Sequence, residues 1–354
     1  MPRITPRLRR SAAVTVALVA GATAAHTGTA GAATGSTTAS ATAPTAASAP
    51  VTKGLYQSAY SARNHALWTT SAVGRPPVTT SALTKLDPRT LKVEATYTPP
   101  VTDAATGAVE AVYGIAVDDE HNTVWVTNTR NNTVAVYSQR DGAHLATLPN
   151  VAHAREIVVD ERHDTVWASG FGDGSVVGFD SRTFAEKKRV TVDGAGPTGL
   201  TVNERTGTVY AADLTNDQLI EVTRKSTKPR LIPTGDGPIS VALSKNGHTA
   251  YTADNTAGTV SVIDLDKGLV TKSVPTGAGT LSVATDDRSG RVVSVNRTDA
   301  TATVVDPRKG AVVKTVSTGA NPNHVEIARG TAYVVDKSGA GAAGEDTLTR
   351  FRVR

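Results

Sequence analysis

Hydrophobic and polar residues alternate along most of the chain in short runs, which turn-forming residues separate. Ile115 and Val117 stand two apart, and so do Ile157 and Val159 in the next such run. This alternation is typical of strands. Turn signals such as Lys245-Asn-Gly interrupt the runs. Val and Thr are abundant and no long segment has helical periodicity, so we expect an all-β chain.

One six-residue pattern recurs seven times, with an anchor residue at its third position. The anchors are Trp68, Trp125, Trp167, Tyr210, Tyr251, Val293 and Tyr333. The first two lie 57 residues apart, and later neighbours lie 40 to 43 residues apart. Strand patterns before and after each anchor give four strands, a to d, per unit. Four strands in about 42 residues match a propeller blade, so we predict a seven-bladed β-propeller.

The last unit lacks a fourth strand. Its strands a, b and c are predicted at 324–328, 331–335 and 347–353. The segment 46–54 lies just before the first strand a, where a strand d would stand. We expect this N-terminal strand to complete the last blade, which would close the ring and remove its exposed edges.

The first residues of the chain account for most of its net positive charge. The chain has 37 basic and 32 acidic residues, and Arg3, Arg7, Arg9 and Arg10 precede an uncharged run over 11–25. This arrangement predicts a signal peptide over 1–32, by the general or the twin-arginine route. Without these four arginines the balance is 33 to 32. An uncleaved anchor is the alternative, although the apolar run is short for a span.

The remaining composition predicts the domain organisation. Residues 33–45 are almost only Ala, Thr, Ser, Gly and Pro, which predicts a disordered tether before a propeller domain over 46–354. We therefore expect a secreted or extracytoplasmic protein, monomeric and without a membrane span in its mature form. The absence of cysteine excludes disulfides and thiolate metal sites.

Several motifs resemble a known family. Val124-Trp-Val-Thr-Asn128 and Val260-Ser-Val-Ile-Asp264 resemble the YVTN-type propeller repeat. More narrowly, 55–68 and 86–93 resemble the YncE-like exported propellers of bacteria, and the resemblance covers about residues 50 to 354. It implies an extracytoplasmic seven-bladed propeller without established catalytic activity, in which nucleic-acid binding has been suggested. It carries over no catalytic residue, because the repeat specifies a fold and not a site.

The repeat is interrupted at 72–79, 99–110 and 337–346. In a propeller, b–c loops and d–a connections share one face, and the first and last blades are neighbours. We therefore expect the three insertions to gather on one side of that face and to bind a protein, a cell-envelope polymer or a small ligand. Neutral insertion at tolerant loop tips is the alternative. The candidate binding residues are Arg75, Asp103, Glu110, His153, Arg155, His324, Lys337 and Glu345.

A second candidate surface is a basic run on the outer strands. Its candidate residues are Lys187, Lys188, Arg189 and Lys225. Such an edge suits nucleic acid or another polyanion. The alternative is a solvated edge on which lysine prevents pairing between molecules.

More than one role is open for the anchors, for the Asp and Asn residues that follow them, and for the histidines. The anchors either pack between blades or form a stacking platform. The Asp and Asn residues three positions later either form turns or supply a ring of cation ligands. His153 and His324 are too few for a zinc site, so we expect no metal and no cofactor. A non-enzymatic binding scaffold is the main hypothesis, and a lactonase-like hydrolase or lyase is its alternative.

Overall fold

The computed structural model describes residues 46–354, so the predicted signal peptide and tether lie outside the described residues. Thirty strands form seven four-stranded antiparallel sheets and one two-stranded hairpin. The one helical element in this part of the chain is a 3-10 turn, Glu161–His163. No helix within it is long and apolar enough to span a membrane. The predicted all-β, seven-bladed propeller is confirmed.

The strands follow one another in blade order. The N-terminal strand and the first two blades, with a hairpin between those blades, are β1 Ala46–Thr52, β2 Leu55–Ser61, β3 Ala66–Val73, β4 Thr80–Leu86, β5 Val93–Tyr97, β6 Val101–Asp103, β7 Ala108–Val109, β8 Val112–Asp118, β9 Thr123–Asn128, β10 Thr133–Ser138 and β11 His144–Leu148. Blades 3 to 5 are β12 Ala154–Asp160, β13 Thr165–Gly170, β14 Ser175–Asp180, β15 Glu186–Thr191, β16 Pro197–Asn203, β17 Thr208–Asp213, β18 Gln218–Val222, β19 Arg230–Pro233, β20 Pro238–Leu243, β21 Thr249–Asp254, β22 Thr259–Asp264 and β23 Leu269–Pro275. Blades 6 and 7 are β24 Thr280–Asp286, β25 Arg291–Asn296, β26 Thr301–Asp306, β27 Ala311–Ser317, β28 Pro322–Ala328, β29 Thr331–Asp336 and β30 Asp346–Arg352.

The N-terminal strand β1 closes the ring. It pairs antiparallel with β30, so that Ala46 stands opposite Phe351 and Ala49 opposite Leu348. The Asp346 carboxylate accepts hydrogen bonds from the backbone N–H groups of Gly54 and Leu55, at 2.8 and 2.9 Å. The predicted closure is therefore confirmed: the last blade takes its outer strand from the start of the described chain.

The anchor residues pack between blades. Trp68 and Trp125 have no exposed surface. Trp68 shares an apolar cluster with Ile115 of the next blade, and Trp125 shares one with Ile157 of the blade after it. The packing interpretation is therefore confirmed, and the anchors offer no stacking platform to a ligand.

The seven a strands are innermost and surround a channel along the ring axis. Hydroxyl groups tie neighbouring blades together: Thr127 Oγ1 donates to the Arg155 carbonyl at 2.9 Å, and Ser169 Oγ donates to the Thr198 carbonyl at 2.6 Å. A Cβ on Gly114 would lie 2.4 Å from the Arg155 carbonyl oxygen, so only glycine permits this approach. These contacts fix the side chains that line the channel.

Candidate functional site at the channel mouth

The channel opens on the face that carries the b–c loops and d–a connections, which we call the loop face. The second residues of the seven a strands form a ring at this opening, the mouth. These seven residues lie at the same height, because in blades 2 to 7 the residue before each pairs with the last residue of strand b, as Val112 does with Asn128. In blade 1, Leu55 pairs with Ser71, and strand b continues for two more residues. The ring consists of Tyr56, Tyr113, Arg155, Thr198, Ile239, Leu281 and Asn323.

Cationic and aromatic side chains alternate along one side of the mouth. Lys337 Nζ lies 3.7 Å from the centre of the Tyr56 ring, and the rings of Tyr56 and Tyr113 are 4.5 Å apart. The Arg155 guanidinium lies 5.2 Å from the Tyr113 ring and 5.7 Å from the Phe171 ring. We call these five residues the mouth site. They are half-buried and belong to blades 7, 1, 2 and 3.

The cations of the mouth site have no acidic partner. Among residues 46–354, Arg155 and Lys337 form no ion pair, and Lys337 Nζ donates to the Leu55 carbonyl at 2.8 Å. Burial lowers the pKa of Lys337 to about 8; Asp346 opposes this shift and Arg297 adds to it. Arg130 stands on the same side and acts on the pKa of Tyr56. The mouth therefore carries positive charge that no ion pair within 46–354 neutralises, although Glu156 lines the deeper cavity beside Arg155.

Two small cavities meet at Tyr113 and Arg155. The first, of about 80 Å³, is walled by Gly74 and Val78 of the blade 1 b–c loop. The second, of about 160 Å³, leads into the channel and has the apolar side chain of Leu281 in its wall. The mouth site thus combines cationic groups, aromatic rings and space for a small ligand group.

The three insertions gather on this side, as the repeat predicts. The Val109 N–H donates to the Val78 carbonyl at 2.8 Å, which joins two of them, and Lys337 of the third reaches Leu55. Their bounds differ from the sequence prediction. β3 continues through Val73, the hairpin β6–β7 folds within 99–110, and β30 begins at Asp346.

Two candidate residues do not lie where the sequence suggested. Glu110 is only 4% exposed and accepts a hydrogen bond from Thr147 Oγ1 at 2.8 Å, so its carboxylate is not offered on the loop face. His324 lies within β28, one layer below the mouth, with Nδ1 3.3 Å from the Ser58 backbone nitrogen. Burial lowers the pKa of His324 to about 4, so this ring is neutral at physiological pH.

The remaining candidates divide into two groups. His153 lies at the mouth, with its ring 5.5 Å from that of Phe171. Burial, and then the charges of Arg155 and Arg130, lower its pKa. Asp103 and Glu345 instead accept hydrogen bonds from backbone N–H groups of their own loops, those of Ala105 and Ala343. Arg75 is exposed at the tip of the blade 1 loop.

Most of the candidate side chains of the basic outer edge already form hydrogen bonds or ion pairs within the protein. Lys188 Nζ donates to the carbonyls of Thr223 and Ser226 in the next blade, at 2.7 and 2.5 Å. Lys187 donates to two carbonyls beside the 3-10 turn, and Arg189 pairs with Glu186 at 2.7 Å. Lys225 alone of the four is exposed without such a contact.

The same contact recurs in later blades, since Lys272 and Lys314 occupy the position of Lys188 in their outer strands. Lys272 Nζ reaches the Pro307 carbonyl at 3.1 Å, and Lys314 Nζ reaches the Arg352 carbonyl at 3.2 Å. These lysines tie each outer strand to the next blade, which gives the basic edge a structural role.

Two half-buried glutamates were not among the residues predicted from the sequence. Glu156 is the third residue of its strand a and Glu326 the fifth of its own, and no other blade has a carboxylate at either position. Gln57 Nε2 donates to Glu156 Oε2 at 2.9 Å. The sequence contains a signal for them, because a glutamate stands at a position of strand a where the other six blades have no carboxylate.

The alternative of a ring of cation ligands at the ends of the b strands is not supported by Asp254. Its carboxylate accepts hydrogen bonds from Ser261 at 2.6 Å and Thr252 at 2.7 Å within its own blade. One group within 46–354 brings three metal-type ligands together, namely Glu120, His121 and Asp164. The Arg182 guanidinium lies 3.0 Å from Asp164 and 3.6 Å from Glu120 and already balances these carboxylates.

Comparison with known proteins gives relatives and a fold. No family model matches the chain. Two curated proteins, each named uncharacterized protein YncE, from Salmonella typhi and Salmonella typhimurium, are 25% identical over 235 residues. YncE of Escherichia coli O157:H7 is 24% identical. The match covers 62% of this chain and 64% of the length of these relatives.

A solved structure supports the architecture. A chain of Kuenenia stuttgartiensis hydrazine synthase superposes with a TM-score of 0.68 at 15% identity, over 85% of this chain and 96% of that one. At this identity the likeness concerns the fold alone. The sequence likeness and the seven-bladed ring confirm the predicted resemblance: this chain is a seven-bladed β-propeller that is similar to YncE.

Proposed function

We propose that this protein is an exported, non-enzymatic propeller that binds a small planar anion at the mouth site. The observation that carries the proposal is the row of Lys337, Tyr56, Tyr113, Arg155 and Phe171, in which unpaired cations lie against aromatic rings. Export is proposed from the arginine-rich start and the apolar run that follows it.

The chemistry of the row defines the ligand class. Arg155 has five N–H donors in a plane, which suits carboxylate or phosphate oxygens, and Lys337 adds a second positive charge. The exposed parts of Tyr56 and Tyr113 offer a surface on which a flat ring can stack. The closed scaffold beneath holds these groups in place, so a ligand would lose little free energy in ordering them.

The outer edge supports this role less well. Lys187, Lys188 and Arg189 already bond to carbonyl or carboxylate oxygens of the protein. A polyanion would have to compete with those contacts, whereas at the mouth it would meet cations that form no ion pair within 46–354.

The experiment uses benzene-1,3,5-tricarboxylate as the probe, in isothermal titration calorimetry at about pH 7. We expect Arg155→Gln and Lys337→Gln each to weaken binding about tenfold, which corresponds to about 1.4 kcal/mol. Cyclohexane-1,3,5-tricarboxylate has the same charges without the flat ring and should bind more weakly. Affinity should also fall as salt rises.

Lys188→Gln and Lys225→Gln on the outer edge are the matched controls, and they should bind the probe as the unaltered protein does. If these two lose affinity while Arg155→Gln does not, the anion site lies on the edge and the proposal is wrong. Failure of both tricarboxylates to bind would also overturn it.

A further inference from the structure

Below the mouth the channel widens into a second cavity, which we call the lower chamber. It measures about 850 Å³, is lined by the a strands of all seven blades and opens on the opposite face, where the a–b turns lie. This volume is in the range of small-molecule sites. Its wall contains aliphatic side chains such as Ile115, Val159 and Ile327. Charged and polar side chains also line it, among them Glu204, Arg205, Lys245 and Asp287 at the opening.

Two carboxylates stand in this wall without an ion pair, although the positive charge of Arg155 acts on Glu156 and lowers its pKa. Glu156 and Glu326 form no ion pair within residues 46–354. Glu156 accepts a hydrogen bond from Gln57 Nε2, and Glu326 accepts none from any side chain of that range. His324, the other titratable group at this level, is held neutral by burial, which lowers its pKa to about 4.

Burial dominates the pKa of both groups, although the hydrogen bond from Gln57 and the charge of Arg155 oppose it at Glu156, and the Tyr60 backbone N–H opposes it at Glu326. Burial raises the pKa of Glu156 to about 7 and that of Glu326 to about 8. The negative charge of Glu156 adds to the shift of Glu326, and Tyr60 and Tyr333 are the other titratable groups beside it. A positive charge in the chamber would favour the ionised forms.

We propose that the lower chamber binds an organic cation, with its ammonium group at Glu156 and Glu326 and its apolar body against the aliphatic wall. A metal ion fits less well, because these carboxylates and His324 are not among the groups whose ligand atoms lie within 4.8 Å of one another. An ammonium ion needs no such convergence, since it interacts through charge and surface contact. The inference is independent of the anion site at the mouth.

Benzyltrimethylammonium is a suitable probe, because its charge is permanent and does not change with pH. In calorimetric titrations we expect its affinity to rise about tenfold or more from pH 6 to pH 9, as the two glutamates ionise. Glu326→Gln should weaken binding at pH 9 about tenfold and flatten the pH profile, and Glu156→Gln should act in the same direction. Glu94→Gln, which removes an exposed carboxylate of the outer strand β5, is the matched control and should leave the affinity unchanged.

Proton release gives a readout that does not depend on the variants. At pH 7, titration in buffers of different ionisation enthalpy should show protons leaving the protein as the cation binds, because the cation lowers the pKa of both carboxyl groups. Benzyl alcohol, the neutral comparison, should bind at least tenfold more weakly and release none. Equal binding of benzyl alcohol, unchanged affinity in both glutamine variants, or displacement of the probe by calcium at equal concentration would overturn the proposal.

Discussion

The mouth site and the lower chamber are two ends of one channel, and both are built from the same seven strands. At the mouth, Arg155 and Lys337 lie on aromatic rings and are open to the loop face. One or two layers deeper, Glu156 and Glu326 stand among aliphatic side chains. The repeat fixes where each layer lies, but the side chain chosen in each blade fixes its charge. A regular ring can therefore carry cationic groups at its mouth and carboxyl groups deeper in the same channel.

The largest effect should come from opening the ring, because both ends depend on its closure. Deleting residues 46–54 removes β1 and the N–H groups that bond to Asp346. We expect a loss on the order of 5 kcal/mol from the broken ladder, at about 1 kcal/mol for each hydrogen bond. Thermal unfolding should show a large fall in the midpoint and loss of both ligands together. Deleting 33–42 is the control, and an equal midpoint for both deletions would mean that β1 does not hold the ring closed.

The second-largest effect should be a pH-dependent change in stability caused by Glu326 in the lower chamber. The pKa of Glu326 is about 8 in the folded chain and near 4.5 when unfolded, so the folded state binds the extra proton between these values. The stability that protonated Glu326 gives the folded state is therefore fully present below about pH 4.5 and is lost as pH rises through 8. Glu326→Gln should be more stable than the unaltered protein at pH 8, by on the order of a few kcal/mol.

Guanidinium unfolding at pH 5, 6.5 and 8 measures this difference. Glu345→Gln, a carboxylate of the loop face, is the matched control and should follow the unaltered protein at every pH. Parallel stability curves for Glu326→Gln and the unaltered protein would show that Glu326 ionises normally in the chamber.

The sequence predicted the ring far better than the sites. Anchor spacing determined the blades, and the strand missing after β30 identified β1, because both follow from a repeat that sequence displays directly. It also named Arg155, His153 and Lys337 as candidates on the loop face, where they lie at the mouth, but it grouped them with His324, which lies one layer deeper. It did not reveal that Glu110 turns inward to Thr147, since that depends on how a connection packs.

The chamber glutamates were missed for a different reason. The candidate residues came from segments whose length departs from the repeat. Glu156 and Glu326 depart from the repeat only in residue type. Likewise, the basic run looked like one surface in sequence, yet Lys188 points across to the carbonyls of the next blade. Contacts between blades join residues about 35 positions apart, and the pattern within one blade does not encode them.

A smaller effect should be a loss of anion affinity at the mouth as the pH rises. Burial lowers the pKa of Lys337 to about 8, so it loses its charge well below the pH at which an exposed lysine does. Affinity for benzene-1,3,5-tricarboxylate should fall up to about tenfold between pH 7 and pH 10. Lys337→Arg should hold its affinity at pH 10, because arginine remains charged. A decline of the same size in Lys337→Arg would assign the titration to another group.

The smallest expected effect tests whether the mouth and the outer edge differ as their contacts indicate. In Lys188→Met the carbonyls of Thr223 and Ser226 lose their shared donor, which should cost about 1 kcal/mol because water replaces part of the interaction. Lys225→Met removes an exposed charge without such contacts and should leave the unfolding free energy unchanged. Chemical unfolding measures both, and neither variant should alter tricarboxylate binding. If the pair instead reduced anion affinity at equal stability, the edge lysines would be ligand-binding groups, and the separation between structural cations at the edge and available cations at the mouth would not hold.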